Sequence, residues 1–512
     1  MYGIYKLKIR MDTTIRKSRK GCHFYKNIND FEVCRKAAEQ GDAHAQNNLG
    51  LMYYKGEVVA KDYAEAAEWW QKAAGQGHAE AQTNLGFMYE TGLGVEKDEV
   101  KAAEWYRKAA GQGHAGAQTN LGQMYETGRG VAKDEVKAAE LYGKAAEQGH
   151  LRAQTNLGFM YETGRGVIKD EVKAAEWYGK AAEQGHAGAQ TNLGWMYETG
   201  RGVAKDEVKA VEWYRKAAEQ GHVRAQNNLG WMYQTGRGVA KDEVKAVELY
   251  RKAAEQGYDQ AQDNLGWMYQ NGWGITKDDF KAAKWYRKAA EQGHANAQTN
   301  LGFMYETGRG VAKDYIKAVE WYRKAAGQDY AGAQDNLGFM YETGRGVAKD
   351  YIKAVELYRK AAGQGHANAQ TNLGFMYETG RGVVKDYIKA VELYRKAAEQ
   401  GFARAQNNLG WMYQNGWGVA KDDVKAVEWF QKAAEQGDDY AQTNLGFMYE
   451  AGRGVVKDYI KAVEWYKKAA EQGNITAQNN LGFMCETGRK ISKLRNGIKK
   501  RLNKVIHWNK MT

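Results

Sequence analysis

The sequence predicts an all-α solenoid of helix-turn-helix repeats. Asn-Leu-Gly recurs with its leucine every 36 residues, from Leu49 to Leu481, without a single insertion. Between successive copies, two stretches carry apolar or small residues at helical spacing, each closed by a glycine. A chain of 512 residues would otherwise suggest about three globular domains, but a hairpin repeated at fixed period buries its apolar faces only against its neighbours.

The elements follow in chain order. Residues 1–30 hold eight Lys/Arg and two Asp and predict a disordered basic tail. Residues 31–41, FEVCRKAAEQG, match the end of a second helix and form a half repeat. Twelve complete 36-residue repeats fill 42–473, and a further first helix fills 474–488. In the third repeat (114–149), Ala117, Leu121, Met124 and Tyr125 define one face of helix A. Gly122 beside Leu121 admits a neighbouring backbone. Gly128 is the expected left-handed stop of helix A, Gly130 is expected to keep the link flexible, and Asp134 caps helix B. Helix B presents Ala138, Leu141, Tyr142, Ala145 and Ala146 as its buried stripe, and Gly149 closes the repeat. In the eighth repeat Asp329 takes that closing place, as aspartate enters left-handed geometry more readily than most residues. Residues 489–512 leave the pattern. There Ile491, Leu494, Ile498, Leu502 and Val505 predict a basic amphipathic cap or tail.

Charge and composition narrow the function. Of the formal +13, the N-terminal tail carries +6 and residues 489–512 carry +9, which leaves the repeats at −2. A near-neutral array offers no continuous track for phosphates, so nucleic acid is not the expected partner, although either tail can touch an anionic surface. No apolar run approaches the length of a membrane span. The opening residues lack the apolar core of a secretory signal, which predicts a cytoplasmic protein. An organellar transit segment around IRKSRK and secretion by another route are the alternatives. Cys22, Cys34 and Cys485 form no metal or disulfide spacing, and no cofactor is expected. Almost every polar residue recurs at 36-residue intervals, whereas an active site needs one singular constellation. His78, His114, His150, His186, His222, His294 and His366 share a position that elsewhere holds Tyr258, Tyr330, Phe402, Asp438 or Asn474, an exchange that no catalytic or metal-binding role survives. A non-enzymatic protein is expected.

The pattern AxAQxNLGxMYExGxGVxKDxxKAxEWYxKAAEQG resembles the Sel-one-like repeat (SLR) family, relatives of tetratricopeptide repeats, over residues 31–488. The resemblance implies a right-handed superhelical α-solenoid and a scaffold or adaptor that binds proteins. Family members assemble signalling, quality-control or cell-envelope complexes, and bacterial members often take part in host interaction. Two features of the family are missing. The proline that often follows Gly-Val is replaced by Ala132, Ile168 and Ala204, and the chain has no proline at all. The cysteine pairs of secreted members, some of which have been labelled β-lactamases, are also absent, so penicillin chemistry is not carried over.

If helix A faces the concave groove as in tetratricopeptide proteins, the residue after Asn-Leu-Gly forms an aromatic ladder there: Phe87, Phe159, Trp195, Trp231, Trp267, Phe303, Phe339, Phe375, Trp411 and Phe447. Beside it runs a carboxylate ladder that includes Glu90, Glu126, Glu162 and Glu198, with Gln234, Gln270 and Gln414 among its later members. Asn84, Asn120, Asn156 and Asn192 precede the repeated leucine and, by resemblance, bond a peptide backbone. The bland alternatives are packing of the aromatics between hairpins and asparagine bonds to the adjacent hairpin's backbone. Gln123, in an aromatic position, points to solvent access. Positions that hold a carboxylate clamp in chaperone adaptors carry Thr/Asn/Asp and Phe/Trp here, which disfavours a free C-terminal carboxylate as ligand. Arg129, Arg165, Arg201, Arg237, Arg309, Arg345, Arg381 and Arg453 line the Gly-Arg-Gly loops, where they read as solvated charges, and give way to Trp273 and Trp417, four repeats apart. An extended protein segment is the expected ligand, and a glycan or cell-wall polymer is the alternative.

Overall fold

The computed structural model describes residues 28–484 and 486, in two compact bodies divided between Lys241 and Asp242. Residues 1–27 and 487–512, with most of the basic N-terminal tail and the spaced apolar residues from Ile491 to Val505, lie outside the described residues. Among the described residues all regular structure is α-helix. The first body runs from Ile28–Glu39 to Val223–Thr235. The second runs from Glu243–Glu255 to Tyr459–Glu471, followed by helical residues 475–484. Within each body, helix A packs on helix B of its own repeat and helix B packs on helix A of the next, which makes a tandem helix-turn-helix solenoid.

The third repeat shows why the chain breaks where it does. Helix A spans Ala115–Thr127 and ends at Gly128, whose φ of 73° is left-handed and whose N–H donates to Met124 O. Asp134 holds an extended φ of −150°, and its carboxylate accepts from Lys137 N, so helix B starts at Glu135 and runs to Glu147. Ala117, Leu121 and Met124 share a core with Ala102, Ala103, Tyr106 and Ala109 of the preceding helix B, and Ala138, Ala139, Tyr142, Ala145 and Ala146 share one with Ala153, Leu157 and Met160 of the next helix A. Leu141, expected in the buried stripe, is only half-buried, and Ala139 takes its place.

Two glycines act differently from expectation. A Cβ on Gly122 would come within 2.9 Å of the Tyr142 ring, so the missing side chain admits an aromatic ring before it admits backbone. Gly130 is no flexible link. A Cβ there would stand 2.0 Å from Glu99 O, so the loop lies against the first turn of the preceding helix B, at a φ of 65°. Asp329 adopts the expected left-handed geometry, with a φ of 58°.

The stack also carries a buried polar seam. Gln118, 4% exposed, donates to Ala110 O at the end of the preceding helix B and accepts from Gln148 Nε2 at 2.8 Å. The arrangement recurs in both bodies, for example at Gln190 and Gln370. Each buried amide satisfies a carbonyl at a helix end, where an orphaned acceptor would cost about 1 to 3 kcal/mol.

Close loop contact gives a paired expectation. Gly185 (φ 92°) has nothing within 4 Å of a built Cβ, whereas a Cβ on Gly202 (φ 65°) would sit 1.9 Å from Glu171 O. Both Gly185→Ala and Gly202→Ala pay left-handed strain of about 1 to 2 kcal/mol. Urea unfolding followed by circular dichroism should show a clearly larger loss for Gly202→Ala, because only there must the inter-repeat contact open. Equal losses would remove the close-approach role of the second loop glycine.

Candidate ligand-binding face

The aromatic ladder lies at the boundary between core and solvent. In the first body, Phe87 packs against the cores around Trp70 and Tyr106, and Phe159 and Trp195 pack against the core around Tyr178. All three, with Trp231, are half-buried, so each ring both seals an inter-repeat junction and keeps an open side. In the second body, Trp267 and Phe375 are half-buried, whereas Phe303, Phe339, Trp411 and Phe447 reach 36–42% exposure. Gln123, which replaces the ring in the third repeat, accepts a hydrogen bond from Arg152.

The carboxylate and asparagine ladders join the same structure from below. Glu90 accepts from the hydroxyl of Tyr106 at 2.8 Å, and Glu126, Glu162 and Glu198 accept likewise from Tyr142, Tyr178 and Tyr214. Burial first, and then the adjacent Glu126 charge, push the Tyr142 hydroxyl far above its ordinary range, so it remains a donor. Asn120, Asn156 and Asn192 hydrogen-bond the hydroxyls of Tyr106, Tyr142 and Tyr178 in the preceding repeat. Asn84 donates to Asn47 Oδ1. These asparagines thus bond side chains of the preceding hairpin, a partner that neither expected reading had named.

The loop arginines close the network from above. Arg129 Nη2 lies 3.0 Å from Glu90, and Arg165 lies 3.8 Å from Glu126, so each reaches back to the preceding repeat. The same guanidiniums cover the ladder rings of their own repeat: Arg165 over Phe159 at 5.5 Å, Arg201 over Trp195 at 4.8 Å and Arg237 over Trp231 at 4.7 Å. The second body repeats the arrangement at Arg345 with Glu306 and Phe339, and at Arg381 with Glu342 and Phe375. Glu90, Glu126, Glu306 and Glu342, expected to await a basic ligand, are therefore already engaged by arginine.

A compensation in the second body shows how closely the arginine is tied to a carboxylate. Where Gln270 and Gln414 replace the glutamate, the residue opening helix B becomes Asp279 or Asp423. Arg309 then grips Asp279 through Nε and Nη2 at 3.3 and 3.1 Å, and Arg453 grips Asp423 at 3.2 and 2.9 Å. The would-be clamp position is equally occupied: Asp263 is buried and accepts from Asn296 and Asn300 of the next repeat.

The Sel1 repeat pattern matches consecutive blocks from 43–78 through 439–474, and then 475–499. The chain belongs to the Sel1 repeat family. A protective antigen present in uropathogenic Escherichia coli strains, displaying an SLR fold, is 39% identical over 86% of this chain and 95% of its own, with a TM-score of 0.68. A Sel1 repeat protein from Oxalobacter formigenes is 36% identical over 60% of this chain and 89% of its own, with a TM-score of 0.47. No curated protein matches the chain. Sel1 repeat proteins generally act as protein-interaction scaffolds, and the family is typically non-catalytic. Among the described residues no cluster of three His, Cys, Asp or Glu is placed to hold a metal, and no helix is long and apolar enough to cross a membrane.

The Sel1 histidine position has a structural role that its exchange pattern encoded. His114 Nδ1 accepts from Ala117 N and lies 3.0 Å from the Thr83 hydroxyl of the preceding repeat, so the imidazole is the N-cap of helix A. Asp438 and Asn474 cap their helices from the same position. The exchange of His for Asp or Asn stays within the set of capping side chains, whereas Tyr330 and Phe402 at the same position make no side-chain cap.

A capping Nδ1 must be unprotonated, and burial lowers the His114 pKa below its usual 6.5, opposed by Glu80. The folded state therefore favours neutral imidazole. The stability this group adds is full above the unfolded value near 6.5 and is lost as pH falls from there through the folded value. His114→Asn keeps a cap but removes the titration. Thermal melts between neutral pH and mild acid should show the wild type losing more stability than the variant, and parallel curves would show that His114 does not titrate against folding.

Proposed function

We propose that the chain is a non-catalytic scaffold that holds an extended protein segment along the helix-A face. The observation that carries this reading is the half-exposed aromatic ladder, repeated in both bodies and braced from either side. A surface meant only to close a junction would bury its rings as fully as Tyr106 or Tyr142, which are 0% exposed. Here the rings keep one accessible side while arginine, carboxylate, tyrosine and asparagine hold their surroundings in place. Preorganisation of this kind lowers the side-chain entropy lost on association.

The pairing of the glutamates reshapes the expected ligand. At Glu90, Glu126, Glu306 and Glu342 a basic segment would have to displace an arginine to reach the carboxylate. A segment with aliphatic or aromatic side chains, its carbonyls or carboxylates near the half-exposed guanidiniums, meets the surface as it stands. The adaptor role follows from the same geometry, since one face repeated many times accepts an extended chain in several registers.

Trp195→Ala, Trp231→Ala and Trp267→Ala together should weaken capture of the native partner at least tenfold in quantitative pull-down from the source cell, with the helical circular dichroism retained. Undiminished capture by the well-folded triple variant would remove the helix-A face as the binding surface.

A further inference from the structure

Two repeats of the second body break the braced pattern in the same way. Residues 270–273 and 414–417 read Gln-Asn-Gly-Trp where residues 306–309 read Glu-Thr-Gly-Arg. Carboxylate and guanidinium disappear together, and an indole stands where the arginine covered the ladder ring. The ion pairs of Arg309 and Arg453 are kept, because Asp279 and Asp423 supply their carboxylates, whereas Glu378, 39 residues before Trp417, loses the arginine in register and keeps the bond from the Tyr394 hydroxyl. The change therefore removes charge from one place on the surface and preserves the bracing beside it.

What replaces the charge is a pair of aromatic clefts. Trp273, 40% exposed, stands edge-on to Trp267 with ring centroids 4.2 Å apart and planes at 89°. In the later repeat Trp411, also 40% exposed, meets Trp417 at 6.2 Å and 81°, and Trp417 stacks on Tyr387 at 5.3 Å and 22°. Amides flank both clefts. Asn271 and Asn415 each donate Nδ2 to the carbonyl of their ladder tryptophan at 2.8 Å, a bond that does not use Oδ1. Gln270 accepts the Tyr286 hydroxyl through Oε1, a bond that does not use its NH2 group. In the later repeat Phe430 replaces the tyrosine and Gln414 is buried, so the exposed amide there is that of Asn415.

We propose that these two tryptophan clefts are binding sites for a neutral glycan. The apolar C–H face of a pyranose stacks on an indole, and its hydroxyls, donors and acceptors at once, match side-chain amides that offer both. A charged ligand would find better partners in the other repeats, where the arginine and glutamate are kept. Two equivalent clefts four repeats apart also suit a polymer that presents the same unit more than once. This inference stands on the two exceptional repeats and is independent of the protein-segment reading.

The test uses the full chain and neutral hexasaccharides of the chitin, cellulose, starch and xylan series, followed by calorimetry and tryptophan fluorescence. At least one series should bind at millimolar concentration or better, with an affinity little changed over about a tenfold range of salt. Trp273→Arg with Trp417→Arg installs the residue that neighbouring repeats carry and should reduce that binding at least tenfold with circular dichroism unchanged. If the arginine pair fails to fold, Trp273→Ala with Trp417→Ala serves in its place. No binding by any of the four series, binding indifferent to both variant pairs, or binding of decaproline in place of the sugars would overturn the proposal.

Discussion

The contact between one hairpin and the next governs this molecule. Two thirteen-residue helices with an alanine-rich stripe cannot bury enough surface to stand alone, so each repeat borrows its stability from its neighbours. Three features make that contact specific. The loop glycine lets backbone meet the preceding helix B at a distance no Cβ permits. The buried glutamine ties two helix ends together. The tyrosine hydroxyl joins a carboxylate of its own repeat to an asparagine of the next. Side chains that look like a functional inventory in one dimension are largely the parts of this joint.

That reassignment decides where function remains. Once glutamate is seen to pair with arginine across repeats, and asparagine with side chains of the preceding repeat, the unspent surface is the open side of the ladder rings and the partly exposed guanidiniums over them. Because the pattern recurs, no single repeat is privileged, which suits a scaffold better than a catalyst. Local departures stand out for the same reason: only where compensating residues preserve the bracing, as at Asp279 and Asp423, does the surface chemistry change without loosening the stack.

Much of the fold was legible because the repeat itself averages over accidents. Thirteen copies of Asn-Leu-Gly fixed the period, Gly128 and Asp134 marked the helix ends, and Asp329 was recognisable as a left-handed substitute. What escaped were relations between residues far apart in sequence. Gly130 read as flexible because nothing nearby reveals Glu99 O behind it. Leu141 read as core because helical spacing cannot separate a buried flank from a half-buried one. Arg129 read as a solvated loop charge because its carboxylate lies a full repeat upstream. The histidine caps were within reach, since His, Asp and Asn, which can all accept from a backbone N–H, alternate at one position just before a helix.

In the proposed reading the helix-A ladder is the face left open for a ligand once the joint is built. Hydrogen–deuterium exchange of the full chain, free and with its captured native partner, tests it most directly. Protection on binding should concentrate in helix-A and loop peptides carrying the ladder rings and their arginines, with the outer turns of helix B unchanged. Protection confined to helix B, with the ladder peptides unaltered, would contradict it.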